Sequence, residues 1–160
     1  MLKSFKYRLY PNKEQELQLQ NTFGCSRFVY NTMLDYKINQ IKNGNKKVSK
    51  IDCNNYSNQV LKNKYEWLRV VDKFALTNAI YNMDNAFRKY YKEHRGYPKF
   101  KSKKEHRQSY TTNCVYNTSK PTIEVSFENN KVKLPKLKWV KAKVHREFEG
   151  KIKSATISQV

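Results

Sequence analysis

Leu76, Ala79, Ile80, Met83, Phe87, Tyr90 and Tyr91 recur at intervals of three and four residues. That is the period of an α-helix burying one face in a bundle. Asp72 precedes the stripe as its N-cap, and Gly96-Tyr97-Pro98 follows as terminator. Gly accepts a left-handed cap, and Pro cannot continue a helix. Beyond Ser109 the period changes to two. The expected strands are Ser109 to Val115, Thr122 to Phe127 (Ile123, Val125 and Phe127 inward), Lys131 to Leu134, Trp139 to Val144 and Lys151 to Val160. Glu128-Asn129-Asn130 makes a hairpin of the second and third. A long helical stripe followed by short alternating segments indicates the α+β class.

The N-terminal segment, Lys3 to Tyr10, alternates Phe5, Tyr7 and Leu9 with Lys6 and Arg8, giving a strand with one packed and one basic face. Pro11 ends it, and Asn12 with Gln15 forms a capping box. A short helix carrying Leu17 and Leu19 is expected to stop near Gly24. A second is expected from Ser26 to Lys42, with Phe28, Val29, Met33 and Tyr36 on one face and Asn43-Gly44 as terminator. Together they read as a helix-turn-helix. Asp52 is expected to cap a third helix through Tyr56, Val60 and Leu61. Because isolated hairpins are marginal, the first strand is expected to pair with the late ones. The expected architecture is a small antiparallel β-barrel from residues 1–11 and 108–160, with a helical bundle of residues 12–107 inserted.

Charge narrows the function. The 160 residues include 33 Lys plus Arg against 13 Asp plus Glu, a formal charge of +20 that repels itself unless an anion neutralises it. Between Arg88 and Arg107 there are nine basic residues against Glu93 and Glu105; between Lys131 and Lys153 there are nine against Glu147 and Glu149. Tyr90, Tyr91, Tyr97, Phe100 and Tyr110 interleave with the first group, and Trp139 and Phe148 with the second. Cations neutralise phosphates while planar rings stack on bases, so the partner expected is nucleic acid. The basic candidates are Lys6, Arg8, Arg27, Arg88, Arg95, Lys99, Lys101, Lys136, Lys138 and Lys141. The second group reads as strands, which disfavours a basic membrane-surface helix. No run of about 18 apolar residues exists for a transmembrane helix. The N-terminus lacks the continuous apolar stretch of a signal peptide, so a cytoplasmic protein is expected. Cys25, Cys53 and Cys114 are widely spaced and His94, His106 and His145 lie far from them, so neither a disulfide framework nor a zinc signature is expected.

Six stretches in order resemble the N-terminal region of the TnpB (OrfB) family, transposon-encoded RNA-guided DNA nucleases related to type V CRISPR effectors. They are Lys6 to Asn12, Phe23 to Asn31, Trp67-Leu68 with Val71 to Leu76, Gly96 to Lys101, Leu134 to Leu137 and Glu149 to Thr156. The resemblance implies a barrel called the wedge domain, interrupted by a helical recognition lobe. It implies that the two grip a guide RNA and read a short target-adjacent motif in duplex DNA. The start of the long helix would face that duplex, which carries over to Lys73, Thr77 and Asn78. A helix N-terminus attracts phosphate, and Asn can pair bidentately with adenine. Lys138 stands where the family has Gly between Leu137 and Trp139.

Cleavage in the family belongs to a RuvC-like domain whose carboxylates hold divalent metal ions. None of Gly24, Gly44, Gly96 and Gly150 flanks an Asp, and the acids are scattered singly. No zinc-ribbon cysteines follow. The expectation is therefore a truncated transposase-type protein that binds DNA and RNA without catalysis, uses no cofactor and holds no metal. Two alternatives are half of an active nuclease, completed in trans by a separately encoded RuvC-like chain, and a helix-turn-helix repressor that binds an operator without RNA.

Overall fold

The computed structural model describes residues 1–45, 47–104, 107–116 and 120–159. Glu105 of the first basic group, His106, and Val160 at the end of the last expected strand lie outside the described residues. A short strand β1 (Arg8–Tyr10) leads into α1 (Lys13–Lys42) and α2 (Lys50–Tyr56). A π-helical turn (Ser57–Leu61), α3 (Lys62–Lys64) and a 3-10 turn (Glu66–Val70) then lead to α4 (Lys73–Glu93). The strands β2 (Ser109–Asn113), β3 (Glu124–Ser126), β4 (Lys131–Leu134), β5 (Lys138–Lys143) and β6 (Ser154–Ser158) follow.

The capping box of α1 forms as expected. Asn12 Oδ1 accepts the Gln15 backbone N–H at 2.8 Å, and Gln15 Oε1 accepts that of Asn12 at 3.0 Å. Gln15 Nε2 also donates to the carbonyls of Leu137 and Trp139 at 3.1 and 3.0 Å, tying the helix start to the sheet. The expected turn at Gly24 is absent: α1 is one helix of 30 residues. Leu19, Phe23, Ser26, Val29, Tyr30 and Met33 are all buried at three- and four-residue spacing, so one buried stripe crosses the glycine. That burial outweighs the roughly 1 kcal/mol that Gly costs in a helix interior. Asp52 is also not the cap of α2. Ser49 is, and Asp52 sits at the third helical position, where the reciprocal bonds with Ser49 (3.0 and 3.1 Å) hold its carboxyl below the ordinary value.

Asp72 caps α4 as expected, its Oδ1 accepting the Phe74 N–H at 3.0 Å. Leu76, Ala79, Ile80, Met83 and Phe87 are buried, whereas Tyr91 is exposed. The left-handed residue that closes α4 is His94 (φ 54°) rather than Gly96. Lys37 of α1 is buried against α4, its Nζ 2.6 Å from Asp84 Oδ1.

β4 covers the expected Lys131 to Leu134 and β5 has the expected six residues shifted by one, whereas β1, β2, β3 and β6 are shorter than expected, because only the paired residues count as ladder. They form an antiparallel sheet in the order β1-β5-β4-β3 and a separate antiparallel pair β2-β6. The N-terminal strand does pair with a late one, β5. The α+β class holds. Among the described residues, however, the ladders do not close into a barrel: β1 and β3 form the edges of the larger sheet with three residues each, too few to carry pairing round to β2 and β6.

Two cores result. One is helical, with Val29, Met33 and Leu34 against Leu76, Ile80, Met83 and Phe87. The other joins Leu19 and Phe23 of α1 and Ala75 of α4 to Tyr110, Ile123, Val132, Leu134, Val140, Ala142 and Ile157 from the strand region. The N-terminal halves of α1 and α4 therefore support the strands directly.

Candidate nucleic-acid interface

Alternation decides what the larger sheet shows to solvent. Leu9, Val132, Leu134, Val140 and Ala142 belong to the core, so their neighbours in each strand point away from it. The outward face carries Arg8 and Tyr10 from β1, Trp139, Lys141 and Lys143 from β5, and Lys131 and Lys133 from β4. The register sets Arg8 opposite Lys143 and Lys131 opposite Lys141, while Tyr10 is the other neighbour of Lys141. Like charges directly opposite each other across a sheet are destabilising. Among the described residues only Lys133 on this face pairs with a carboxylate, Glu124 at 2.7 Å. Tyr10 and Trp139, 46% and 41% exposed, interleave with the cations. The face thus offers charge for phosphates and rings for stacking.

Beside it lies an open cleft of about 430 Å³ bordered by Tyr116, Phe127, Trp139, Phe148 and Lys151. Phe148 is the centre of an aromatic row, stacked on Phe5 at 5.1 Å and edge-on to Phe127 at 5.2 Å between centroids. Arg146 lies 5.7 Å from the Phe5 ring centre and Lys151 5.5 Å from that of Tyr116.

The start of α4 forms a second basic region. Burial lowers the pKa of Lys62 from its ordinary value, and the nearby charges of Arg69 and Lys73 lower it further. Lys136 and Lys73 both act on the Asp72 carboxyl, whose pKa burial raises. The first turn of α4 contains no acidic residue, so the capping carboxylate of Asp72 alone faces the positive end of the helix dipole there. Of the residues carried over from the family, Lys73 is exposed, with its ammonium 5.3 Å from the Phe74 ring centre. Thr77 and Asn78 are half-buried and already engaged. Thr77 donates to Asn54 Oδ1 at 3.3 Å, and Asn78 Nδ2 to the Thr111 carbonyl at 2.8 Å and Asn113 Oδ1 at 3.3 Å.

The remaining candidates are dispersed. Arg8 and Lys141 share the sheet face without lying opposite each other; Lys6 is exposed just before β1. Lys136 in the β4–β5 turn and Lys138 at the start of β5 flank Leu137, both with positive φ (69° and 59°). Lys138 thus occupies a conformation that Gly takes without strain. Arg88 and Arg95 are exposed, bonded to Asn85 and Glu93 at 3.0 Å each, and Lys99 is exposed. Arg27 and Lys101 line a cavity between α1, α4 and the chain leading to β2. Tyr10, Lys62, Arg69, Lys131, Lys133 and Lys143 were not among the sequence candidates. The period of two already placed the outward lysines on the face of Arg8 and Lys141; no sequence signal joined Lys62 to Lys136, because the link is tertiary. Among the described residues no three of His, Cys, Asp and Glu come together where they could hold a metal ion. No helix of the described residues is long and apolar enough to cross a membrane.

Residues 1–46 match the family described as Helix-turn-helix domain, of the OrfB type. The whole chain is similar to a candidate RNA-guided DNA endonuclease, InsQ, of Escherichia coli, 25% identical over 160 residues, which are 99% of this chain and 38% of that protein. It is also similar to a candidate RNA-guided DNA endonuclease of Streptomyces pristinaespiralis, 32% identical over 108 residues, 67% of this chain and 27% of that protein. The chain therefore spans well under half the length of the curated relatives it matches.

Proposed function

We propose that this relative of the N-terminal region of TnpB-type RNA-guided endonucleases grips nucleic acid, holding a guide RNA and a DNA duplex, and cuts neither by itself. The observation that carries the reading is the pair of opposed like charges on one sheet face, Arg8 with Lys143 and Lys131 with Lys141. Such pairs oppose folding until an anion sits between them. A polyphosphate backbone is such an anion, and releasing its counterions drives association. Tyr10, Trp139 and the adjoining aromatic row would stack on unpaired bases, as single-stranded RNA requires.

In this reading residues 1–11 and 108–160 form a wedge-like part and residues 12–107 a helical lobe. The basic start of α4, with Lys73 and Lys136, lies along the phosphates of the target-adjacent duplex, and Thr77 borders a base edge. Strand scission falls to carboxylates supplied by a RuvC-like domain outside these residues. The setting would be the cytoplasm.

The test is to purify the chain from its host, sequence the nucleic acid that accompanies it, and incubate the stripped protein with Mg²⁺ and duplex DNA. Recovery of a defined RNA and intact DNA is expected. A protein free of nucleic acid, or metal-dependent cutting by the isolated chain, contradicts the reading.

A further inference from the structure

A cavity of about 250 Å³ opens between the two long helices and the chain entering β2. Ser26, Arg27 and Tyr30 line it from α1, Asn82 from α4, and Lys101 and Arg107 from the following segment. Among the described residues no Asp or Glu lines it, so three cations share a partly enclosed space with no internal counter-charge. Lys101 and Arg107 make no ion pair with any described residue. Ser26 is 6% exposed, and its Oγ is buried without a hydrogen-bond partner, although a hydroxyl in a helix can ordinarily bond the carbonyl one turn back.

The site is built rather than incidental. Asn31 clamps the Lys101 backbone with two bonds, Nδ2 to the Lys101 carbonyl at 2.9 Å and the Lys101 N–H to Oδ1 at 2.7 Å. The Lys101 residue as a whole is exposed, yet its ammonium turns inward to 4.3 Å from the Tyr30 ring centre. Burial there lowers its pKa from the ordinary value, a penalty that an adjacent anion removes. Arg27 spends one N–H on Gln108, at 2.9 Å, and the guanidinium has others to offer.

We propose that this cavity binds one phosphate group, neutralised by Arg27, Lys101 and Arg107 and hydrogen-bonded by the Ser26 hydroxyl. The volume suits a phosphate with its sugar rather than a base pair. The proposal rests on the nucleic-acid reading for the origin of that phosphate, which is either a strand terminus or an internal phosphodiester.

Titrating the full chain with inorganic phosphate, while following the side-chain nitrogen NMR signals of Arg27, Lys101 and Arg107, tests it. Saturable shifts at one phosphate per chain are expected. Lys101→Met keeps the stem over Tyr30 and Arg107→Gln keeps a polar side chain, and each is expected to weaken phosphate binding about tenfold or more. Circular dichroism verifies that both variants fold. One single-stranded oligonucleotide, with and without a 5′ phosphate, separates the sources: a preference for the phosphorylated form identifies a terminus. Equal affinity of both forms, weakened by Lys101→Met, identifies a phosphodiester. Phosphate that shifts none of the three signals, or binds both variants like the original chain, overturns the proposal. Oligonucleotide binding without phosphate occupancy of the cavity overturns this proposal alone. Phosphate occupancy without oligonucleotide binding supports the cavity and contradicts the proposed function instead.

Discussion

Asn78 on α4 donates its side-chain amide to the main-chain carbonyl of Thr111 on β2 at 2.8 Å, bonding the long helix to the smaller ladder. With Asn113 Oδ1 at 3.3 Å, both hydrogens of the amide nitrogen are committed within the protein. Bidentate pairing with adenine would need one of them back. Asn78→Ala is therefore expected to lower stability by about 1–2 kcal/mol, measured by urea unfolding, since it leaves a half-buried carbonyl unpaired. It should weaken binding to all sequences alike. A change of base preference with unchanged stability would return Asn78 to a reading role. Thr77→Ala, with only a 3.3 Å bond to lose, is expected to cost little stability and to change motif preference.

The sheet face separates stability from binding. Removing one member of an opposed like-charge pair, as in Lys141→Ala, is expected to raise the stability of the free chain by roughly 0.2–1 kcal/mol. The same variant should bind oligonucleotides more weakly. Thermal unfolding without ligand and an equilibrium titration check the two signs, and a fall in both would mean that the lysine packs rather than repels.

The part-buried pair Lys37–Asp84 bridges α1 and α4 at 2.6 Å, with the ammonium also 5.0 Å from the Phe87 ring centre. Asp84→Ala leaves that ammonium without its carboxylate and should cost about 1–3 kcal/mol. Replacing both residues with Met and Leu is expected to recover most of the loss, because an apolar pair needs no desolvation of charge. Denaturant midpoints of the single and double variants test this.

Asp72 supplies a pH signature. Its folded pKa is raised by burial above the ordinary 3.8, so the folded state keeps the proton to a higher pH than the unfolded chain does. Its contribution is most favourable below 3.8 and is lost as pH rises through the raised value. Asp72→Asn keeps a capping oxygen and removes this titration. The variant is therefore expected to gain stability relative to the original chain as pH rises above 3.8, whereas Asp72→Ala loses about 1 kcal/mol with the cap throughout. Equal pH slopes for the original chain and the Asn variant would contradict the assignment.

What the sequence revealed follows physical range. The α4 stripe, its Asp72 cap and the Asn12–Gln15 box are local, and periodicity exposed them. The β3–β4 hairpin was legible for the same reason, whereas the pairing of β1 with a late strand followed from the marginal stability of isolated hairpins. Gly24 misled because its propensity is local, whereas the stripe from Leu19 to Met33 that carries α1 through it is tertiary. The closing residue His94 was hidden by two glycine- and proline-bearing positions just beyond it. At the candidate interface, alternation exposed Arg8 and Lys141, but only the register reveals that they lie beside Lys143 and Lys131. The phosphate cavity needed Ser26, Asn82 and Arg107 brought together from three separate segments, which no spacing rule anticipates.

The most direct test of the central claim, that this chain is a cationic grip, is the slope of log affinity against log salt. With several phosphates neutralised, affinity for a single-stranded RNA should fall by on the order of 10³ between about 50 and 200 mM salt. Lys131→Glu combined with Lys141→Glu should flatten the slope and weaken binding regardless of sequence. A flat response in the original chain, or undiminished affinity in the charge-reversed one, would contradict the account.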